Sequence, residues 1–343
     1  MNIEISQNNL IEKISELLKN ARNRVVTTLN QAMVHTYFEI GRMIVEEEQN
    51  GNERADYGKQ LITDISKRLT VEFGKGFSKT NIKQMRQFYI VYTKGQTLSD
   101  DFQNPQAVPI DFNLSWSHYL KLMRIEDENE RKFYEIESFK NGWSLRELER
   151  QYDSALYTRL TLSKNKDEIL ELSKKGQIIE QPKDAVKDPY VLEFLGLKEY
   201  SEYSENDLEQ RLIDKLEHFL LELGTGFTFV ARQKRITFEE KHFRVDLVFY
   251  NRILKCFVLI DLKIGELKHQ DIGQMQMYVN YYDREMRLQD ENKTIGIILC
   301  QDKNEAVVQY TLPENNEQIF ASKYLTVLPS KETLKLLLED NDE

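Results

Sequence analysis

Phe243-Arg244-Val245-Asp246-Leu247-Val248-Phe249-Tyr250 and, after a short turn, Leu254-Lys255-Cys256-Phe257-Val258-Leu259-Ile260-Asp261-Leu262-Lys263 form the stretch that decides the fold. Both runs are rich in the β-branched and aromatic residues that suit a pleated surface. Their length and the turn between them predict a hairpin of core strands. In the first run, alternation sends Phe243, Val245, Leu247 and Phe249 to one face and Asp246 to the other. In the second, apolar residues lead directly into Asp261 and Lys263, which share a face because they are two residues apart. A carboxylate in such a setting is costly unless it is paired or binds a metal.

The chemistry that fits these residues is a divalent-metal site. Asp246 and Asp261 are hard oxygen ligands suited to Mg²⁺ or Mn²⁺, cations that also accept waters and phosphate oxygens. Such an ion would polarise a phosphodiester and activate water, with Lys263 offsetting the developing negative charge. Without a cation the two carboxylates would repel and one pKa would rise. A buried Asp–Lys ion pair, with Asp246 bonded to a turn, is the other arrangement these residues allow.

Working outward, Leu208, Leu212, Leu216, Phe219, Leu220 and Leu223 predict an amphipathic helix ended by Gly224. Short β-rich runs follow, 227–233 and 235–238, before the hairpin. A helix at about 270–282 and a strand at 295–300 come after it. Helix, three strands, helix, strand is a compact α/β domain. The polar stretch 174–200, with Pro182 and Pro189, reads as a boundary, giving a helical domain over 1–173 and an α/β domain over 201–343.

The first half is all helical by its periodicity: Leu10, Ile14, Leu17 and Leu18, then Val34, Tyr37, Phe38, Gly41 and Ile44, then Leu61, Ile62, Ile65 and Leu69. Gly74-Lys75-Gly76-Phe77 is a turn, and Ser78 an N-cap for a helix through Tyr92. Helix, glycine-containing turn, helix is the arrangement of a helix-turn-helix unit. Lys79, Asn81, Lys83 and Arg86 near the start of its second helix suit phosphate and base contacts. Residues 58–94 hold eight Lys or Arg against Asp64 and Glu72. Ser144 and Glu147 have capping-box spacing, and Arg146 and Arg150 lie on the helix they would open. A solvated helical surface is the alternative for both basic groups. Residues 94–113 read as a surface loop.

The net charge of −10 means that any phosphate binding must come from basic charge gathered locally. The two cysteines, Cys256 and Cys300, sit in apolar runs and read as core thiols, which points to a reducing cytoplasm. No apolar run reaches the length of a membrane span, and the first residues lack the pattern of a signal peptide. His/Cys zinc spacing and a Gly-x-x-x-x-Gly-Lys phosphate loop are both absent from the sequence.

Asp246 followed by Asp261-Leu262-Lys263 resembles the PD-(D/E)xK signature of restriction-endonuclease-like phosphodiesterases. Phe243 to Tyr250, Asp261-Leu262-Lys263-Ile264-Gly265 and Gly273-Gln274-Met275-Gln276-Met277-Tyr278 are similar to the YhcG-like nuclease family. So are Gly76-Phe77-Ser78, Leu114 to Tyr119 and Gly142 to Gln151 in the helical half. The resemblance implies a restriction-endonuclease-like fold and metal-dependent DNA endonuclease activity, with roles in restriction, phage defence or DNA repair. It also raises a homodimer or a restriction or defence-system protein partner. A catalytically silent DNA-binding or scaffolding protein with the same fold stays open beside it. The resemblance further implies an acidic residue on the first core helix completing the metal shell, for which Glu209 is the choice over Glu217 and Glu222. It also implies a Gln-x-x-x-Tyr pair, Gln274 and Tyr278, on one helical face toward DNA or water. Two departures stand out: Asp261 where the family usually has Glu, and Val245 where the motif name has Pro.

Overall fold

The computed structural model describes residues 2–50, 55–94, 111–161, 166–197 and 203–329. The chain divides into two compact units, Met1–Glu149 and Arg150–Glu343.

The first unit is helical. It comprises α1 (Asn2–Asn50), α2 (Ala55–Phe73), α3 (Lys79–Lys94), α4 (Trp116–Leu122), α5 (Glu128–Asn141) and the start of α6 (Leu145–Asp153). The first two periodic stretches, Leu10 to Leu18 and Val34 to Ile44, lie on one helix, α1, which runs on to Asn50. Gly41 lets α1 and α3 touch, because a Cβ there would lie 2.2 Å from the Met85 carbonyl oxygen. Ile44, Ile62, Ile82 and Met85 form a core with Tyr37, Ile40 and Trp116. Phe88 packs among Phe38, Phe112, Trp116 and Tyr119.

The helix–turn–helix of α2 and α3 is present as read. Gly74 takes φ 91°, open only to glycine at low cost, and Ser66 Oγ ties the turn to α2 by donating to the Phe77 carbonyl at 2.9 Å. Ser78 Oγ accepts from the Asn81 amide at 3.3 Å, capping α3. The Ser144–Glu147 capping box forms. Of the expected loop 94–113, residues 95–110 lie outside the described residues.

The second unit contains α7 (Leu156–Thr161), α8 (Lys166–Lys175), β1 (Tyr190–Val191), α9 (Glu205–Asp214), α10 (Leu216–Leu223), β2 (Phe227–Phe238), β3 (Lys241–Asn251), β4 (Cys256–Glu266), α11 (His269–Tyr281), β5 (Ile295–Asp302), α12 (Glu305–Thr311) and β6 (Ile319–Leu325). The strands form a mixed sheet in the order β1-β6-β5-β4-β3-β2. The β2–β3 and β3–β4 pairs are antiparallel, and β4–β5, β5–β6 and β1–β6 are parallel. Helices cover both faces: α9 and α10 bury Leu208, Leu212, Phe219 and Leu223 against Leu247, Val258 and Ile260. On the other face α11 buries Met275, Tyr278 and Val279 against Val245, Val248, Leu259 and Ile298. This is the expected helix, three strands, helix, strand core, extended by β6 and β1.

Three local differences have physical causes. The helix expected to run unbroken to Gly224 bends at Lys215 (φ −117°, ψ 30°) into α9 and α10, each burying its own apolar pair on the twisted sheet. The two short runs before the hairpin are one strand, β2, kinked where Gln233 takes φ 45°. The units meet at Glu149/Arg150, upstream of the polar stretch 174–200. Segment 150–161 is tied into the second unit: Arg150 Nε donates to Glu193 Oε1 at 2.8 Å, and Arg159 Nη1 to Glu222 Oε1 at 2.6 Å. Within 174–200, Tyr190 and Val191 pair with β6.

Candidate active site

The site lies where two strands part. The pairing of β3 with β4 ends at Leu247↔Ile260. The next residue on each strand is an aspartate, Asp246 on one and Asp261 on the other. Beyond this fork β3 stays with β2 alone, back to Lys241. Both strands are buried on both faces up to that point. The single apolar face expected for β3 is split at Asp246, with Phe243 and Val245 on the α11 side and Leu247 and Phe249 on the α9–α10 side. The two carboxylates come together where interstrand hydrogen bonding stops.

Asp261 is 1% exposed. Burial first, then the facing Asp246 charge, pushes its carboxyl up to about 7, with Lys263 opposing the rise. Lys263 Nζ lies 2.8 Å from Asp261 Oδ2 and 3.8 Å from Glu205 Oε2. The first contact is an ion pair without hydrogen-bond alignment, so Asp261 Oδ2 is buried with no hydrogen-bond donor. Burial alone would lower the Lys263 ammonium, but Asp261 and its acidic neighbours raise it. Asp246 is fixed from the backbone, its Oδ2 accepting from the Leu262 amide at 2.8 Å.

Glu209, on α9, is 3% exposed and joins the same cluster. Gln233 makes the link: its Nε2 donates to Glu209 Oε2 and to Asp246 Oδ1, the latter at 3.1 Å. The left-handed backbone at Gln233, uncommon for a side chain of this type, belongs to the kink that turns this amide toward the carboxylates. Glu209 Oε1 has Arg232 Nε at 3.0 Å as an ion partner, yet it too is buried without a hydrogen-bond donor.

Asp246, Asp261, Lys263 and Glu209 are therefore brought together. Gln274 and Tyr278 stand one step away. Gln274 Nε2 donates to the Tyr278 hydroxyl, which donates to the Arg244 carbonyl at 2.9 Å. The pair thus grips the backbone of β3 two residues before Asp246. Glu217 is exposed, and Glu222 is enclosed by Arg159, Arg150 and the Val191 amide, away from the fork.

Gln233, Arg232 and Glu205 were not singled out by the sequence. The interruption of the β-rich run at Gln233-Lys234 was the available signal for the kink, but nothing local shows where a kinked side chain points.

The residues expected to touch DNA divide differently. Lys79, Lys83 and Arg146 are exposed. Asn81 is engaged internally: it donates to the Gly76 carbonyl and accepts from Trp116 Nε1 at 2.9 Å. Arg86 pairs with Glu48 at 2.6 Å. Arg150, with its side chain 13% exposed, is held by Glu193 and Glu222.

The donor set is suited to a hard divalent cation: three carboxylates, two of them with a buried oxygen lacking a donor. Among the described residues no three acidic, His or Cys side chains converge closely enough to hold a metal ion by themselves. Mg²⁺ typically takes one or two carboxylates and completes its shell with water and substrate phosphate. No described helix is long and apolar enough to cross a membrane.

Comparison with known proteins gives this geometry its context. Residues 183–339 match the YhcG PDDEXK nuclease domain, and residues 13–159 match the DUF1016 N-terminal domain. The Escherichia coli (strain K12) protein named "Putative nuclease YhcG" is 40% identical over 342 residues, covering 94% of this chain and 90% of its own length. Among solved structures, a repair endonuclease from Pyrococcus abyssi overlaps 37% of this chain and 49% of its own, at 18% identity and TM-score 0.27. An EndoMS–dsDNA complex overlaps 39% and 51%, at 16% identity and TM-score 0.27. Each of those overlaps spans about half of the solved chain, and at such scores they add nothing to the assignment. The two domain matches and the near full-length relative carry it, and the fork falls inside the nuclease match: this chain belongs to the YhcG family, with a PDDEXK nuclease domain at its carboxy-terminal end.

Proposed function

We propose that the protein is a metal-dependent endonuclease that hydrolyses DNA phosphodiester bonds at the β3–β4 fork, using Mg²⁺ or Mn²⁺. The observation that carries this reading is the under-satisfied carboxylate cluster. Asp261 Oδ2 and Glu209 Oε1 are buried without hydrogen-bond donors, and Asp246 faces Asp261 closely enough to raise it. Buried polar atoms are normally satisfied, so a cluster left short of donors beside a lysine suits a cation and an anionic substrate.

Asp246 and Asp261, with Glu209 linked to them through Gln233, would hold the ion together with water and phosphate oxygens. When bound it supplies Lewis-acid polarisation of the phosphate and activation of water. Lys263, anchored by Asp261, places a fixed positive charge where negative charge develops on the phosphoryl oxygens. The Leu262 amide fixes the Asp246 carboxylate, so little reorganisation is needed during reaction. Gln233 keeps Glu209 and Asp246 in register with each other. Gln274 and Tyr278 brace the strand that carries Asp246.

Calorimetric titration of Mg²⁺ and Mn²⁺ into the wild type and into Asp246→Ala with Asp261→Ala tests the metal centre, with and without duplex DNA. The expected result is a site in the wild type that the double variant loses. Absence of metal binding even with DNA present would overturn the reading and favour a non-catalytic scaffold.

A further inference from the structure

β2 and β3 run on together past the fork as a two-stranded ribbon. Ile236 and Val245, with Phe238 and Phe243, pack into the cluster beneath α11. Alternation therefore leaves Arg235, Thr237, His242 and Arg244 on the opposite face. The contacts agree: the His242 ring meets Arg235 Nη2 at 2.6 Å and Thr237 Oγ1 at 3.1 Å.

Arg235 sits directly opposite Arg244 in the strand register. Like charges in directly opposed positions destabilise a sheet, and all of Arg235, Arg244, Lys234 and Lys241 are exposed. Among the described residues none of the four has an acidic partner within ion-pair distance. Arg232, by contrast, is tied to Glu209 and Gln210. In a chain of net charge −10, two arginines face to face on one side of the ribbon, with no acidic partner among the described residues, are a local cost that a polyanion would relieve. The ribbon is also placed for it. Arg244 lies two residues from Asp246 and Arg235 two residues from Gln233, about 6–7 Å of strand in each case.

We propose that the β2–β3 ribbon is a nucleic-acid backbone surface, on which Arg235 and Arg244, on the face opposite α11, bind phosphates next to the one at the fork. This rests on the nuclease reading of the fork and adds the element that holds the substrate there. Phosphate contacts of this kind fix position and carry no sequence information. Each neutralised phosphate contributes to the salt dependence of affinity.

The experiment is duplex binding by fluorescence anisotropy across a salt series, using the full chain, with plasmid cleavage measured in parallel. Arg235→Gln with Arg244→Gln should weaken binding on the order of tenfold to a hundredfold near 0.1 M salt and flatten the log–log slope by about two. Its thermal midpoint should hold or rise, since two opposed charges are removed. The single variants Arg235→Gln and Arg244→Gln should each move binding in the same direction, and they decide the matter if the double variant fails to fold. Lys234→Gln with Lys241→Gln, on the α11 face, should move it less. Unchanged affinity and slope in the arginine variants, beside a wild type that binds or cuts, would overturn the ribbon assignment alone. A wild type that neither binds nor cuts DNA would overturn both the ribbon and the nuclease reading.

Discussion

The second unit buries two acidic centres in opposite ways. Glu222 is fully buried and well served: Arg159 Nη1 reaches Oε1 at 2.6 Å, the Val191 amide reaches the same oxygen at 3.0 Å, and Arg150 Nη2 reaches Oε2 at 3.4 Å. Burial alone would raise its carboxyl, but Arg159, Lys187 and Arg150 hold it down at about 2. Asp261 is nearly as buried, yet it faces a second carboxylate, has one misaligned ammonium and is pushed up to about 7. A buried charge with every oxygen engaged joins segments of the fold. A buried charge short of donors and facing a second carboxylate suits instead the cation and anionic substrate of the proposed function.

The sharpest way to break this comparison is to remove one member of each centre and measure stability and activity separately. Arg159→Ala would leave the Glu222 carboxylate short of its main partner and should cost about 3–5 kcal/mol in urea unfolding. A loss under about 1 kcal/mol would mean that the network is dispensable and the contrast false. Asp261→Ala or Lys263→Ala should instead abolish plasmid cleavage, at least on the order of a hundredfold to a thousandfold, while the unfolding midpoint moves little. Unchanged cleavage in both variants would sink the assigned site.

The acid limb of stability sharpens the comparison further. The Glu222 carboxyl is lowered on folding, so its contribution is fully present above its ordinary value near 4.5 and is lost as pH falls toward about 2. At neutral pH that contribution is about 3 kcal/mol. The stability difference between wild type and Glu222→Gln, followed by urea unfolding in steps from pH 6 to about 2, should shrink over that window. A flat difference would show that Glu222 titrates as it does in the unfolded chain.

How the site could be read from the sequence follows from where its information lies. Asp261 and Lys263 end a continuous apolar run and Asp246 stands inside a largely apolar strand, and such departures are visible within a few residues. The choice of Glu209 over Glu217 and Glu222 rested on family resemblance and on its border with an apolar stripe. Its burial against the fork comes from packing between α9 and the sheet. Arg150 read as a surface contact because its helix is charged. Its partners, Glu193 and Glu222, lie 43 and 72 residues away and could not be inferred from that helix.

The sequence by itself determined the β3–β4 hairpin, β5, most of the helical periodicity, the α2–α3 turn and the placing of acidic residues at the ends of core strands. These follow from side-chain periodicity and backbone preference, which act over a few residues. Only the tertiary structure decided that β3 leaves β4 at Asp246, that Gln233 turns into the cluster, and that Arg235 stands opposite Arg244. It also decided that β1 closes the far edge of the sheet and that the chain divides before Arg150. Each of these depends on register and packing between segments distant in the chain, where burial and charge are settled by neighbours that no local pattern names.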